Sequence, residues 1–289
     1  FDIPSSSAPY VPFFPLRTLL PYNFRPKQPQ SPLPRVNPMR ILPNLTRGVG
    51  ILPPSPSCPS TLALCCSLPF SFIFIDLEHS PQYPLSNLPS TLNFIKAQPS
   101  PKPALVRIPG KDSLPNIQHA LDSGAQNLLI PMISTQEEAQ RVVSVAKFPP
   151  LGSRGCASSF WNDFGGAGLP TSKANEDLTL GVQIETLEGI SNAASIAATP
   201  GVDFVFLGPV DLASAMGVVE SEAGWRHEDV IRTVLEISEC VKAEGKSVGT
   251  LVTALDGGDG GAFADFEVNV ALGSQMFVSG AQAFLDAKN

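Results

Sequence analysis

The chain has 289 residues, 43% hydrophobic and 16% charged, with a formal net charge of −7. That length buries a sizeable core in one large α/β domain or two small ones. The acidic balance argues against a nucleic-acid partner, and no apolar run reaches the ~18 residues of a membrane-spanning helix. Five cysteines (Cys58, Cys65, Cys66, Cys156, Cys240) are odd in number and lack metal-ligand spacing. They point to a reducing, cytoplasmic setting rather than to a disulfide framework or a zinc site.

Residues 1–47 carry six basic side chains and one acidic one, and 22 of the 30 prolines precede residue 104. A disordered N-terminal segment is expected over 1–47, because dense proline blocks helix formation. Its acid-poor Pro/Ser/Arg composition is also that of an organelle-targeting segment. From residue 48 the pattern changes. Apolar runs at Gly48–Leu52, Phe70–Ile75, Ala104–Ile108, Asn127–Pro131, Leu178–Ile184, Asp203–Leu207, Ser247–Val252 and Glu267–Leu272 read as strands. Continuous runs such as Phe72-Ile73-Phe74-Ile75 fit strands buried on both faces of a parallel sheet. Helical patterns lie between them. Ser134-Thr135-Gln136-Glu137-Glu138 opens one with a cap and early acids, and Thr186–Ala198 and His227–Glu244 read as two more.

Eight strands alternating with helices predict a (β/α)₈ TIM barrel over 48–289, with a doubly wound open sheet as the alternative. Its end repeats are irregular. Pro53, Pro54, Pro56 and Pro59 delay the first helix to near Ser60, and Gly257–Gly261 leaves room for little helix before the last strand. That glycine run lacks the Lys-Ser/Thr of a phosphate loop.

Four apolar runs end in chemistry-bearing residues: Asp76-Leu77-Glu78-His79, Arg107, Gln183-Ile184-Glu185 and Gly208-Pro209-Val210-Asp211. In a barrel these ends share one mouth, where active sites of this fold lie. Glu185 and Asp211, from neighbouring strands, are candidate ligands for Mg²⁺ or Mn²⁺, with water and substrate oxygens completing the shell. The competing reading is that one of them pairs with Arg107 as a structural salt bridge. His79 suits a general base near neutral pH, and Arg107 suits a clamp on a carboxylate or enolate oxygen. His119 and His227 read as structural or surface residues. Cys65-Cys66 reads as core, and Cys156 as a bystander thiol near the mouth. Asp122 reads only as an acid at a helix C-terminus.

Six strings in register resemble the HpcH/HpaI aldolase family. They are Ile75-Asp76-Leu77-Glu78-His79-Ser80-Pro81, Val106-Arg107-Ile108-Pro109, Leu121-Asp122-Ser123-Gly124-Ala125-Gln126, Phe148-Pro149-Pro150-Leu151-Gly152-Ser153-Arg154-Gly155, Val182-Gln183-Ile184-Glu185-Thr186 and Phe206-Leu207-Gly208-Pro209-Val210-Asp211-Leu212. The resemblance covers roughly residues 48–284. It implies a divalent-metal-dependent carbon–carbon lyase that cleaves 4-hydroxy-2-oxo acids to pyruvate and an aldehyde through a metal-bound enolate. Glu185 and Asp211 would hold the metal, and His79 and Asp122 would form the base dyad. Arg107 would contact the pyruvyl oxygens, with Gln183, Gly208 and Pro209 lining the pocket.

An enzyme that decarboxylates oxaloacetate, akin to macrophomate synthase, would use the same machinery. A catalytically silent barrel is the non-enzymatic alternative. The resemblance departs at Gly110-Lys111-Asp112, where the family usually has Trp-Asn, and in the loop Arg154–Lys173. The family's last helix often packs on a neighbouring subunit. A homo-oligomer is therefore compatible with the sequence, although the short C-terminus is expected to weaken it.

Overall fold

Runs of β-branched and aromatic residues form the strands, and these pair in sequence order. The computed structural model describes residues 48–53, 55–80, 83–156, 171–220, 224–253 and 264–270. The strands are β1 (Gly48–Leu52), β2 (Phe72–Asp76), β3 (Ala104–Arg107), β4 (Asn127–Ile130), β5 (Thr179–Ile184), β6 (Phe204–Leu207), β7 (Ser247–Thr253) and β8 (Phe266–Val270). All are parallel, and each pairs with the next. β8 also pairs with β1, from Gly48↔Phe266 to Leu52↔Val270, so the sheet closes on itself rather than staying open.

Parallel neighbours require crossovers, and helices supply them. α1 (Pro59–Ser67), α2 (Leu88–Lys96) and α3 (Leu114–Asp122) follow β1, β2 and β3. α4 (Gln136–Ala146) and α5 (Thr171–Asp177) separate β4 from β5. α6 (Leu187–Ser191) and α7 (Ala193–Ala197) follow β5, and α8 (Pro209–Ala215) and α9 (Glu228–Ala243) follow β6. The connections after β7 and β8, over 254–263 and 271–289, lie outside the described residues, as do the Pro-rich segment 1–47 and the glycine run Gly257–Gly261.

Two expected elements differ in detail. β2 starts at Phe72 and runs on to Asp76, which places that carboxylate inside the strand pairing, opposite Arg107. The single helix expected over Thr186–Ala198 is two short ones, because Asn192 leaves helical geometry between them (φ −103°, ψ 7°). Asparagine at this position favours such local turns over helix continuation.

The closed sheet separates two cores. Outward strand residues such as Ile73, Ile75, Val106, Val182 and Val205 pack against helix residues such as Leu92, Ile117, Val142, Ile196 and Val234. Inward residues Phe72, Phe74, Leu105, Leu129, Phe204, Phe206 and Val268 fill the interior, so it is a packed core rather than a pore. Gly181 is what admits the Phe204 ring. A Cβ at 181 would stand 2.0 Å from Phe204 Cζ.

Filling that contact overpacks the interior. Gly181→Ala is therefore expected to destabilise the fold by about 1–3 kcal/mol, and adding Phe204→Leu should recover part of the loss. Denaturant unfolding of the single and double variants checks this.

Candidate active site

Inward alternation along β2 carries Phe72, Phe74 and then Asp76 to the mouth of the closed sheet. Along β3 it carries Leu105 and then Arg107. The two polar residues meet in register. Arg107 Nε donates to Asp76 Oδ1 at 2.9 Å and Nη2 donates to Oδ2 at 2.6 Å, with both side chains buried. The guanidinium lies over the Phe74 ring, 5.5 Å from its centroid. Burial opposes the charged form of each group. Their pairing nevertheless holds the Asp76 carboxyl below, and the Arg107 guanidinium above, its ordinary value.

Asp76 also shapes the turn that follows it. Its Oδ1 accepts the N–H groups of Glu78 at 3.0 Å and His79 at 3.3 Å. That turn aims Glu78 inward, with Oε2 at 3.3 Å from Arg107 Nε, and leaves His79 Nε2 at 3.6 Å from the same carboxylate. The His79 side chain is 67% exposed at the mouth.

On the far side of the mouth, Glu185 is buried at the end of β5 and held through both oxygens. Oε1 accepts the Met132 N–H at 2.9 Å, and Oε2 accepts from Gln183 Nε2 at 2.5 Å. Met132 presents its N–H from a left-handed backbone (φ 61°), a conformation that costs energy for a non-glycine residue and is found at functional sites. Gly208, after β6, lies against the same carboxylate. A Cβ there would stand 2.6 Å from Glu185 Oε2 and 3.1 Å from Gln183 Nε2. Pro209 opens α8, and Asp211 stands exposed in its first turn, where the helix dipole favours an acid.

The loops bearing these residues are fixed locally. Thr135 accepts the Glu138 N–H, and Glu138 accepts the Ser134 N–H, a reciprocal cap at the start of α4. Ser134 Oγ then meets Thr186 Oγ1 at 2.7 Å, and Asn192 Nδ2 donates to the Ser134 carbonyl.

The mouth holds more negative charge than its cation neutralises. Glu185 is pushed up to about 7, chiefly by burial and further by the Asp211 and Glu78 charges, against the hydrogen bond from Gln183. Glu78 is pushed up to about 6, again chiefly by burial, with Asp76 and Asp211 adding to it and Arg107 opposing it. The buried Gln183 Oε1 has no hydrogen-bond partner. Among the described residues no group of three His, Cys, Asp or Glu side chains forms a ready-made metal cage. Asp211 stands near enough to Glu185 for its charge to raise that carboxyl.

The structure gathers Glu185, Asp211, Gln183, Gly208, Pro209, Arg107 and His79 at one end of the sheet. It does not gather Asp122 there. Asp122 ends α3, which returns to the start of β4, so it lies at the opposite end, the foot of the barrel. Its side chain is 43% exposed and paired with Arg154 Nη2 at 3.0 Å. Cys156, expected near the mouth, follows Arg154 at the foot, where the Arg154 N–H bonds to the Lys147 carbonyl beyond the end of α4. His227 caps α9 by accepting the Asp229 N–H on Nδ1, and His119 is exposed on α3, a structural and a surface position respectively. Arg107 pairs with neither Glu185 nor Asp211. Its partner Asp76 received no role from the sequence, although inward acid and inward base at paired strand positions were a readable signal. The bonds from Met132 and within the Ser134–Thr186 pair had no such signal.

Comparison with known proteins decides the family. A profile described as HpcH/HpaI aldolase/citrate lyase matches residues 56–278. The chain belongs to this family. It is 34% identical over 193 residues to a 4-hydroxy-2-oxovalerate aldolase of Novosphingobium aromaticivorans, covering 67% of this chain and 71% of the relative. It is 38% identical over 183 residues to a 5-keto-4-deoxy-D-glucarate aldolase of Salmonella paratyphi C, covering 63% and 69%. Among solved structures, an HpcH/HpaI aldolase/citrate lyase family protein from Burkholderia cenocepacia superposes with a TM-score of 0.71 at 28% identity, covering 84% of this chain and 95% of that one. Macrophomate synthase shares the fold at a TM-score of 0.66 and 21% identity, covering 84% and 85%. As an HpcH/HpaI protein, the chain is a carbon–carbon lyase.

The raised carboxyl groups give a signed pH dependence. A carboxyl raised in the folded state contributes stability below its unfolded value, and this is lost as pH rises through the folded value. In the presence of a chelator, the wild type should therefore lose stability relative to Glu185→Gln between about pH 4.5 and pH 7. Thermal unfolding of the pair across that range measures it, and a difference that grows in the other direction contradicts the placement of Glu185.

Proposed function

We propose that the chain is a divalent-metal-dependent aldolase that cleaves 4-hydroxy-2-oxo acids to pyruvate and an aldehyde. The carrying observation is the set of opposed carboxylates, Glu78, Glu185 and Asp211, beside an arginine already bound to Asp76. Two oxygen donors with room for water and substrate suit a hard cation such as Mg²⁺ or Mn²⁺, and neither sulfur nor imidazole competes for it at this pair. Glu185 and Asp211 would hold the ion. Bound there, it would supply Lewis acidity to the 2-oxo group and stabilise the negative charge of the enolate.

The chain's own residues do the rest. Arg107 spends Nε and Nη2 on Asp76, and the Nη1 side of its fork adds positive charge beside the developing oxyanion. Gln183 and the bare backbone at Gly208 fix the direction of Glu185, and Pro209 closes that side of the pocket. His79 takes the proton of the 4-hydroxyl as the C3–C4 bond breaks. The bonding electrons pass into the enolate, and protonation at C3 gives the methyl group of pyruvate.

The dyad of His79 with Asp122 acquires a specific form. The two residues stand at opposite ends of one chain, so a dyad requires the foot of one copy to meet the mouth of another. The reading therefore includes a homo-oligomer, together with a complete (β/α)₈ domain over 48–289 and small-molecule 2-oxo acid and aldehyde substrates.

Metal-dependent deuterium exchange into the methyl group of pyruvate tests enolate formation without an aldehyde. Glu185→Ala and Asp211→Ala should each abolish exchange and metal binding. His79→Ala should keep the metal and lose about 10²–10⁴ in turnover. Full metal-dependent exchange by Asp211→Ala would remove it from the ligand pair. For the dyad, mixing inactive His79→Ala with inactive Asp122→Ala subunits should restore activity through sites that receive both native residues. Mixtures no more active than their components contradict an intersubunit dyad.

A further inference from the structure

Seven large apolar side chains are exposed among the described residues, and three of them ring one half of the mouth: Met132 (42%), Leu187 (55%) and Val210 (48%). They come from consecutive strand ends, after β4, β5 and β6. Each is tied to the site by the main chain. Met132 donates its N–H to Glu185, and Leu187 lies two residues beyond Glu185. Val210 stands between Pro209 and Asp211, in the turn whose Gly208 abuts the Glu185 carboxylate. The other half of the mouth, from β2 and β3, is charged: Asp76, Glu78, His79 and Arg107.

The oxygens of a 2-oxo acid belong with Arg107 and the proposed metal-binding pair, so the far end of an aldehyde projects outward past the exposed apolar rim. A carboxylate carried there would gain no free cation, because the nearby ones are engaged. Arg107 is bound to Asp76, Lys111 to Glu138 and Arg141 to Asp112. Lys111 and Asp112 replace the family's usual Trp-Asn, and both are drawn onto α4 by these pairs.

Resting on the aldol reading above, we propose that Met132, Leu187 and Val210 seat the substituent of the aldehyde. They select short, uncharged, apolar aldehydes over those carrying a carboxylate.

The test uses the full chain loaded with Mn²⁺ and compares two acceptors of pyruvate that differ only at the far carbon, butanal and succinic semialdehyde. Wild type should favour butanal in kcat/KM by about tenfold or more. Leu187→Arg should lower that ratio by about tenfold, through gain with the semialdehyde. Val210→Ser should lower it severalfold, chiefly through KM for butanal. A wild-type preference for the semialdehyde, or a ratio that moves less than about twofold in both variants, overturns the proposal. Deuterium exchange into pyruvate separates the layers. Exchange in wild type with a flat ratio sinks the rim alone, whereas no exchange sinks the enolate reading and the rim with it. An unchanged ratio accompanied by dissociation to smaller oligomers assigns the apolar rim to a subunit contact and overturns its role in selectivity.

Discussion

Like charges gathered by parallel strands are the constraint on which this site depends. Closing a sheet of parallel strands sends all of their C-terminal ends to one opening, whatever residues stand there. Here those ends carry Asp76, Glu78, Glu185 and, one helical turn on, Asp211, against a single buried guanidinium. The bidentate pair of Asp76 with Arg107 neutralises one carboxylate and lets two strand ends approach. Burial raises Glu185 and Glu78 most, and their mutual repulsion with Asp211 raises them further. On the proposed reading, a cation at that opening would relieve the repulsion and meet substrate oxygens in the same place.

Much of the fold was legible in the sequence. Short apolar runs placed the eight strands to within two residues, because strands buried on both faces need unbroken hydrophobic stretches. The residues just beyond those runs were legible as neighbours at one opening, because strand ends in a barrel converge. Direction within the strand was harder. Asp76 sits only one residue past Ile75, yet its inward alternation with Phe72 and Phe74 makes it the partner of Arg107 rather than a solvated acid. Backbone donors and the spatial end of a helix were beyond such reading. The N–H of Met132 leaves no mark in composition, and a motif match carries no information about which end of a barrel Asp122 occupies.

Mouth and foot also differ in what holds them. At the foot, the buried Lys147 ammonium is bonded to the carbonyls of Asn175 and Leu178, and Asn175 clasps the Phe148 backbone through both ends of its amide. These contacts satisfy buried polar groups and brace the turn that bears Arg154, the partner of Asp122. The mouth instead keeps unmet capacity: an exposed imidazole, an orphaned amide oxygen and uncancelled charge. A satisfied end and an unsatisfied end are thus built from the same repeats.

The grip of Met132 on Glu185 has an evolutionary corollary. Because the donor is a main-chain amide, its bond does not depend on the chemistry of the side chain at 132; proline deletes it, and the positive φ disfavours β-branched residues there. The orientation of the carboxylate is thereby partly insulated from drift at 132, while on the proposed reading the side chain there can vary with the aldehyde. Selection can retune what enters without unsettling what reacts.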